Sequence, residues 1–164
     1  MSSIEFKEQY LPYYRKLYCI AFRFLGNSED AEDIIQELYV KLWNKREKLK
    51  FVSNPEAYSV ILLRNLCIDS IRSRKISEDL DLSRIERADI DEEKLDAKYN
   101  LNDILNVLNK IPENQRMVII LKHFENYSTD EIMGIMNVSH ANLRVLLSRA
   151  RKNIRELIMT KHGK

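Results

Sequence analysis

Residues 140–164 hold seven Lys/Arg against one Asp/Glu, the steepest charge imbalance in a chain whose net charge is only +2. Their spacing matters more than their number. On a helical period, Leu143, Leu146, Leu147 and Ala150 take one side, and Asn142, Arg144, Val145, Ser148 and Arg149 take the outside or the flank. An arginine can pair with both acceptors of a guanine edge, and a serine can give or take a hydrogen bond, so this outer row suits base readout. Arg151, Lys152 and Arg155 continue as phosphate-neutralising charges. Just upstream, Ser128-Thr129-Asp130-Glu131 is a capping box that starts a helix carrying Ile132, Ile135 and Met136 on one face. Asn137 tolerates the left-handed conformation a tight turn demands, and Ser139 caps the next helix. Two short helices across so tight a turn predict a helix-turn-helix. The blander reading is an exposed basic helix of a bundle.

A second patch has the opposite sign. From Asp30 to Trp43, Ala31, Ile34, Ile35, Leu38, Tyr39, Leu42 and Trp43 repeat with helical period, and Glu32, Asp33, Gln36, Glu37 and Lys41 line the other face. Composition alone reads this as a solvated surface. Nothing in the chain assembles acid–base, nucleophilic or metal chemistry. His123, His140 and His162 are scattered, and Cys19 and Cys67 sit in apolar helical patterns with no ligand spacing. Phosphate-cradling and hydrolase motifs are absent. No catalytic residue, cofactor or metal is therefore expected. Two unpaired cysteines and a charged N-terminal stretch without an apolar core suggest a cytoplasmic protein with no signal peptide. The longest aliphatic runs, Val60–Leu63 and Val118–Leu121, are too short to insert into a membrane.

The elements that must position these patches are helical. Three glycines and three prolines in 164 residues cannot supply the turns of an all-β fold, and 45% hydrophobic with 32% charged residues suits a soluble all-α protein. One helix is expected over Glu5–Leu25, ending at Gly26. A second is expected over Asp30–Trp43, preceded by Ser28 as cap. A third opens at Asn54 with Pro55 in its first turn and runs to a basic end at Arg72, Arg74 and Lys75. Residues 1–75 thus form a small bundle. Residues 76–100 carry nine Asp/Glu against four Lys/Arg and read as an acidic linker. The helical pattern resumes at Leu101, breaks at Ile111-Pro112, and leads through Val118 and Phe124 to the helix-turn-helix. The expected organisation is two small helical domains, 1–75 and 101–164, joined by that linker.

Three strings then resemble a known family in its own order. DAEDIIQELYVKLW is similar to region 2.2 of bacterial sigma factors of the extracytoplasmic function class. PEAYSVILLRNLCIDSIRSR is similar to the region 2.3–2.4 helix, and IPENQRMVIILKHFENYSTDEIMGIMNVSHANLRVLLSRARKNIREL to region 4. The resemblance implies a subunit that binds core RNA polymerase and directs it to promoter DNA, with no catalysis of its own. It implies that Asp33, Gln36 and Glu37 dock on polymerase. It also implies that Asn65, Asp69 and Arg72, with the basic end Arg74 and Lys75, serve −10 recognition and opening. Lys48, Lys50 and Phe51 fall in the loop that receives an unstacked base, where a basic track and an aromatic platform are what the chemistry needs. His140, Asn142, Arg144, Val145, Ser148, Arg149, Arg151 and Lys152 fall on the −35 side. Val145 replaces a polar residue common in relatives; it can meet a thymine methyl but cannot hydrogen-bond. The resemblance further implies an anti-sigma factor as partner. The competing expectation is a free-standing dimeric helix-turn-helix regulator with a palindromic site. A helical partner-binding protein without a DNA role leaves the basic segment unexplained.

Overall fold

The computed structural model describes residues 1–78 and 95–162, with side chains placed for 1–74 and 102–160. Among these residues there is helix and turn and no strand. The expected single helix Glu5–Leu25 is two. α1 (Ser3–Tyr10) starts from a capping box in which Ser2 Oγ accepts from the Glu5 amide at 3.1 Å. A 3₁₀ turn over Leu11–Tyr13 then precedes α2 (Tyr14–Leu25). Pro12 accounts for the break: it has no N–H to give the ladder, and its ring clashes with the preceding turn. α2 stops at Gly26, whose φ of 87° closes the helix with its amide on Phe22 O at 2.8 Å. A Cβ there would meet only the end of the exposed Asn109 side chain, at 2.7 Å, which can swing aside, so chain direction is what requires glycine.

α3 (Ser28–Asn44) is capped one residue earlier than expected. Asn27, not Ser28, is the cap, and its Oδ1 accepts from the Asp30 amide at 2.8 Å. The short α4 (Arg46–Leu49) and a turn lead to α5 (Pro55–Glu78), where Asn54 Oδ1 accepts from the Ala57 amide at 3.1 Å. α6 (Leu95–Lys110) follows. Both helices thus extend into the segment read as a linker, the rest of which lies outside the described residues. α7 (Glu113–Ile119) has Pro112 as its flanking cap. It runs on into a wide turn, Ile120–Phe124, that ends with the Glu125 amide on Ile120 O at 3.1 Å. α8 (Thr129–Met136) and α9 (His140–His162) complete the chain.

The apolar stripes of α2, α3 and α5 meet in a core containing Leu17, Phe24, Ile35, Leu38, Leu42 and Leu63, all fully buried or nearly so. Each such side chain contributes roughly 1.5–3 kcal/mol. The cluster continues without interruption to Leu108, Met117, Ile120, Ile132 and Leu143 of the C-terminal helices. Cys67 is part of this core, whereas Cys19 is only half-buried. Burial pushes the Cys67 thiol well above its ordinary range, which leaves it chemically inert.

Candidate nucleic-acid interface

The helix-turn-helix is built by local signals. Ser128 Oγ accepts from the Glu131 amide at 3.1 Å, and Glu131 Oε1 accepts from the Ser128 amide at 3.0 Å. Asn137 stops α8 in the left-handed region at φ 53°, and Ser139 Oγ takes the Asn142 amide at 3.1 Å. Ile132, Ile135, Leu143, Leu147 and Ala150 are buried between the two helices and the core, with Leu146 half-buried. This locks the outward row of α9. Arg144, Val145, Ser148, Arg149 and Arg151 together line one shallow concavity of about 620 Å³. His140, Asn142 and Lys152 are exposed on the same helix but do not line it. Val145 remains 44% exposed, an apolar spot inside a basic patch. Arg151 is partly engaged, with its guanidinium 3.3–3.4 Å from His123 Nε2. Burial, and then the charges of Arg151 and Lys122, hold His123 below the ordinary histidine range, so it is neutral and can accept at neutral pH.

On α3 the two faces separate cleanly. Ala31, Ile34, Ile35, Leu38 and Leu42 are buried, and Asp33, Gln36 and Glu37 are exposed side by side on the opposite face. Glu37 has only Lys41 near it, at 3.8 Å. Sequence periodicity placed Trp43 in the core, but it is 37% exposed, with Arg46 stacked 4.2 Å from its ring centre. With Tyr14, Tyr39 and Gln36 it borders an apolar groove beside the acidic face. Its sequence signal was the inclusion of Tyr39 and Trp43 in the apolar repeat.

Lys48 lies in α4 and is exposed. Phe51, in the turn that follows, is 81% exposed, and the Lys50 ammonium sits 5.3 Å from its ring centre. An exposed ring beside a cation has the chemistry needed to stack an unpaired base. Asn65, Asp69 and Arg72 are exposed along one side of α5. Asn65 Oδ1 already accepts from Arg64, at 2.7 Å from Nη2 and 3.1 Å from Nε, and Arg72 lies 3.7 Å from Glu113. Arg74 turns to Asp30 of α3, and the side chain of Lys75 lies outside the described residues. Among the described residues no three His, Cys, Asp or Glu come together in a metal-holding group, and no helix is long and apolar enough to cross a membrane.

The description Sigma-70 region 2 matches residues 10–76, and Sigma-70, region 4 matches residues 101–154. The chain is 28% identical over 156 residues to the ECF RNA polymerase sigma factor SigW of Bacillus subtilis, covering 88% of this chain and 83% of SigW. It is 24% identical to SigX of the same organism, covering 92% of this chain and 82% of SigX. In fold it is similar to the sigma factor RpoE of Bartonella quintana, solved with the anti-sigma factor NepR, at a TM-score of 0.73 and 23% identity over 94% of this chain and 96% of RpoE. It is also similar to CnrH, solved with the cytosolic domain of CnrY, at a TM-score of 0.65 and 20% identity over 92% of this chain and 84% of CnrH. With both regions matched in order across more than half its length, the chain belongs to the sigma-70 family, as a sigma factor of the ECF type.

Proposed function

We propose that the chain is a non-catalytic specificity subunit that binds core RNA polymerase through Asp33, Gln36 and Glu37 and selects promoters with its two basic surfaces. Residues 1–75 serve polymerase docking and the −10 element, and residues 101–164 serve the −35 element. The observation that carries this reading is the pairing of opposite surfaces on separate helices. An exposed acidic row stands on α3, whose other face is fixed in the core, and a basic row stands on α9, fixed the same way. An acidic row repels nucleic acid phosphate, so it serves a protein partner, while the basic row attracts phosphate. Phe51 and Lys50 provide the platform for an unstacked base, and Arg144, Ser148 and Arg149 provide the donors for base edges. The work is done in the cytoplasm, where polymerase and promoter are. The similarity to RpoE, solved with the anti-sigma factor NepR, supports an anti-sigma factor as a further partner.

The test is gel-filtration co-elution with sigma-free core polymerase, wild type beside Glu37→Lys. The wild type is expected to co-elute and the variant, equally folded by circular dichroism, to elute alone. A wild type that never joins core rejects the reading.

A further inference from the structure

The outward row of α9 is not polar throughout. Ala141 and Val145 stand four residues apart, so one lies a turn beyond the other on the same face of the helix. Both are exposed, and both line the concavity of about 620 Å³ that also holds Arg144, Ser148, Arg149 and Arg151. Val145 is 44% open to solvent. The result is an apolar strip set among arginine and serine side chains in the first two turns of α9. In a helix-turn-helix those turns are the ones that reach base edges.

The fold does not need a valine at this position. The core that fixes α9 is supplied by Leu143, Leu147 and Ala150. As a helix former valine is weaker than alanine, arginine, lysine or glutamine, because its branched Cβ crowds the preceding turn. The same branching leaves it one strongly preferred rotamer, so its two methyl groups are presented rigidly and lose little freedom on contact. The backbone beneath them is fixed as well. Ser139 Oγ accepts from the Asn142 amide at 3.1 Å, and Asn137 turns the chain at φ 53°.

The chemistry of the strip selects its partner. In the major groove adenine, guanine and cytosine edges present hydrogen-bonding groups and no methyl, whereas thymine carries a C5 methyl beside its O4 acceptor. A valine facing an amino group or a ring nitrogen strips water from it and offers no bond in return. Facing the thymine methyl, it buries apolar surface on both sides. We propose that Ala141 and Val145 form a methyl-reading strip, which selects thymine through its C5 methyl at one position of the −35 element. Val145 makes the contact, and Ala141, one turn earlier, extends the apolar surface around it. Arg144 and Arg149 beside the strip read neighbouring base edges by hydrogen bonds. The proposal rests on the sigma-factor reading, since it takes α9 to lie in the major groove of promoter DNA.

The test uses the full chain assembled with core polymerase. The holoenzyme first selects −35 sequences from a promoter pool randomised at that element. Each thymine of the selected element is then replaced singly by deoxyuridine, which lacks only the methyl. Competition binding is expected to weaken about fourfold at one or two of these thymines, the effect of losing one buried methyl, and to stay unchanged at the rest. Val145→Ala holoenzyme should lose that penalty at one position, whereas Arg149→Ala holoenzyme, weaker overall, should keep it. Alanine is the better helix former at an exposed site, so the Val145→Ala chain folds. A selected element with no methyl-sensitive thymine overturns the proposal, and so does a Val145→Ala holoenzyme that keeps the full penalty. A Val145→Ala chain that instead fails to join core polymerase also overturns it, by making the strip a protein contact. A wild type that never joins core, or that selects no −35 sequence, rejects the sigma-factor reading, and the methyl-reading proposal falls with it.

Discussion

Arg149 and Val145 lie next to each other in the α9 concavity, yet they should report on different parts of recognition. Arg149→Ala is expected to cost about 1–3 kcal/mol of discrimination at one −35 position and to leave core binding unchanged, measured by competition between matched and single-mismatch promoters. Equal weakening on every sequence would instead make Arg149 a phosphate contact. Where the N-terminal helices meet the C-terminal ones, Glu56 beside Tyr127 and Glu125 beside Arg23 should respond to acid in opposite senses. Burial pushes Glu56 up, but the Lys16 ammonium and the Tyr127 hydroxyl pull it down further, to below the ordinary carboxylate value. Its stabilising contribution is therefore fully present above the unfolded-state pKa and is lost as pH falls through the lower folded value. Burial pushes Glu125 up, and the nearby Arg23 and Lys16 charges do not bring it back, so its ionised form costs the folded state stability at neutral pH. Glu56→Gln should accordingly lose about 1–3 kcal/mol at pH 7 and little at pH 3, and Glu125→Gln should be neutral or stabilising at pH 7. Urea unfolding at the two pH values checks both.

Helices in this chain begin and end where side chains can satisfy orphan backbone groups, and the boundaries are the places to perturb. Ser128→Ala removes one half of a reciprocal capping box and should cost about 1 kcal/mol, read as a shifted urea midpoint with unchanged slope. Asn137 closes α8 at φ 53°, where a Cβ is disfavoured. Asn137→Gly should thus be tolerated or slightly stabilising, and Asn137→Val should cost roughly 1–2 kcal/mol and misalign α9, raising the salt sensitivity of promoter binding. At this scale, motif-sized signals in the sequence were the most informative. The Ser128 box, the Asn137 turn, the Gly26 stop and the Asn54-Pro55 start were all legible because each acts within four residues. The break at Leu11–Tyr13 was missed because apolar periodicity runs straight through Pro12. The cap shift from Ser28 to Asn27 was missed because both residue types can cap, and the choice depends on how the chain leaves Gly26.

Across the whole molecule, Arg116 holds the two halves together, and its chemistry makes a severe test. Arg116→Met keeps the aliphatic bulk but leaves the Phe24, Asn109 and Ile111 carbonyls without their donor, so global stability should fall by about 3 kcal/mol or more. A loss below about 1 kcal/mol would mean that water replaces the guanidinium there and that the two halves meet loosely. Burial holds the Arg116 guanidinium below the ordinary arginine value and the Glu113 charge opposes that shift; an arginine stays protonated even so.

The all-helical class, the position of most helices, the acidic row of α3 and the basic row of α9 were readable from residue order, because period, caps and local charge are properties of neighbours. How the rows are displayed was not. Trp43 counts as core by its spacing but is 37% exposed, because α1 meets it only through Phe6, edge-on at 5.2 Å between ring centres. Arg116 reads as an ordinary surface cation, and it is buried because a carbonyl 92 residues away needs a donor. Asn65 and Asp69 are exposed, yet a cleft sets them opposite Asn137 of the helix-turn-helix, 72 and 68 positions away in sequence. Contacts of that sequence separation leave no periodic trace, so accessibility was decided by packing and not by pattern.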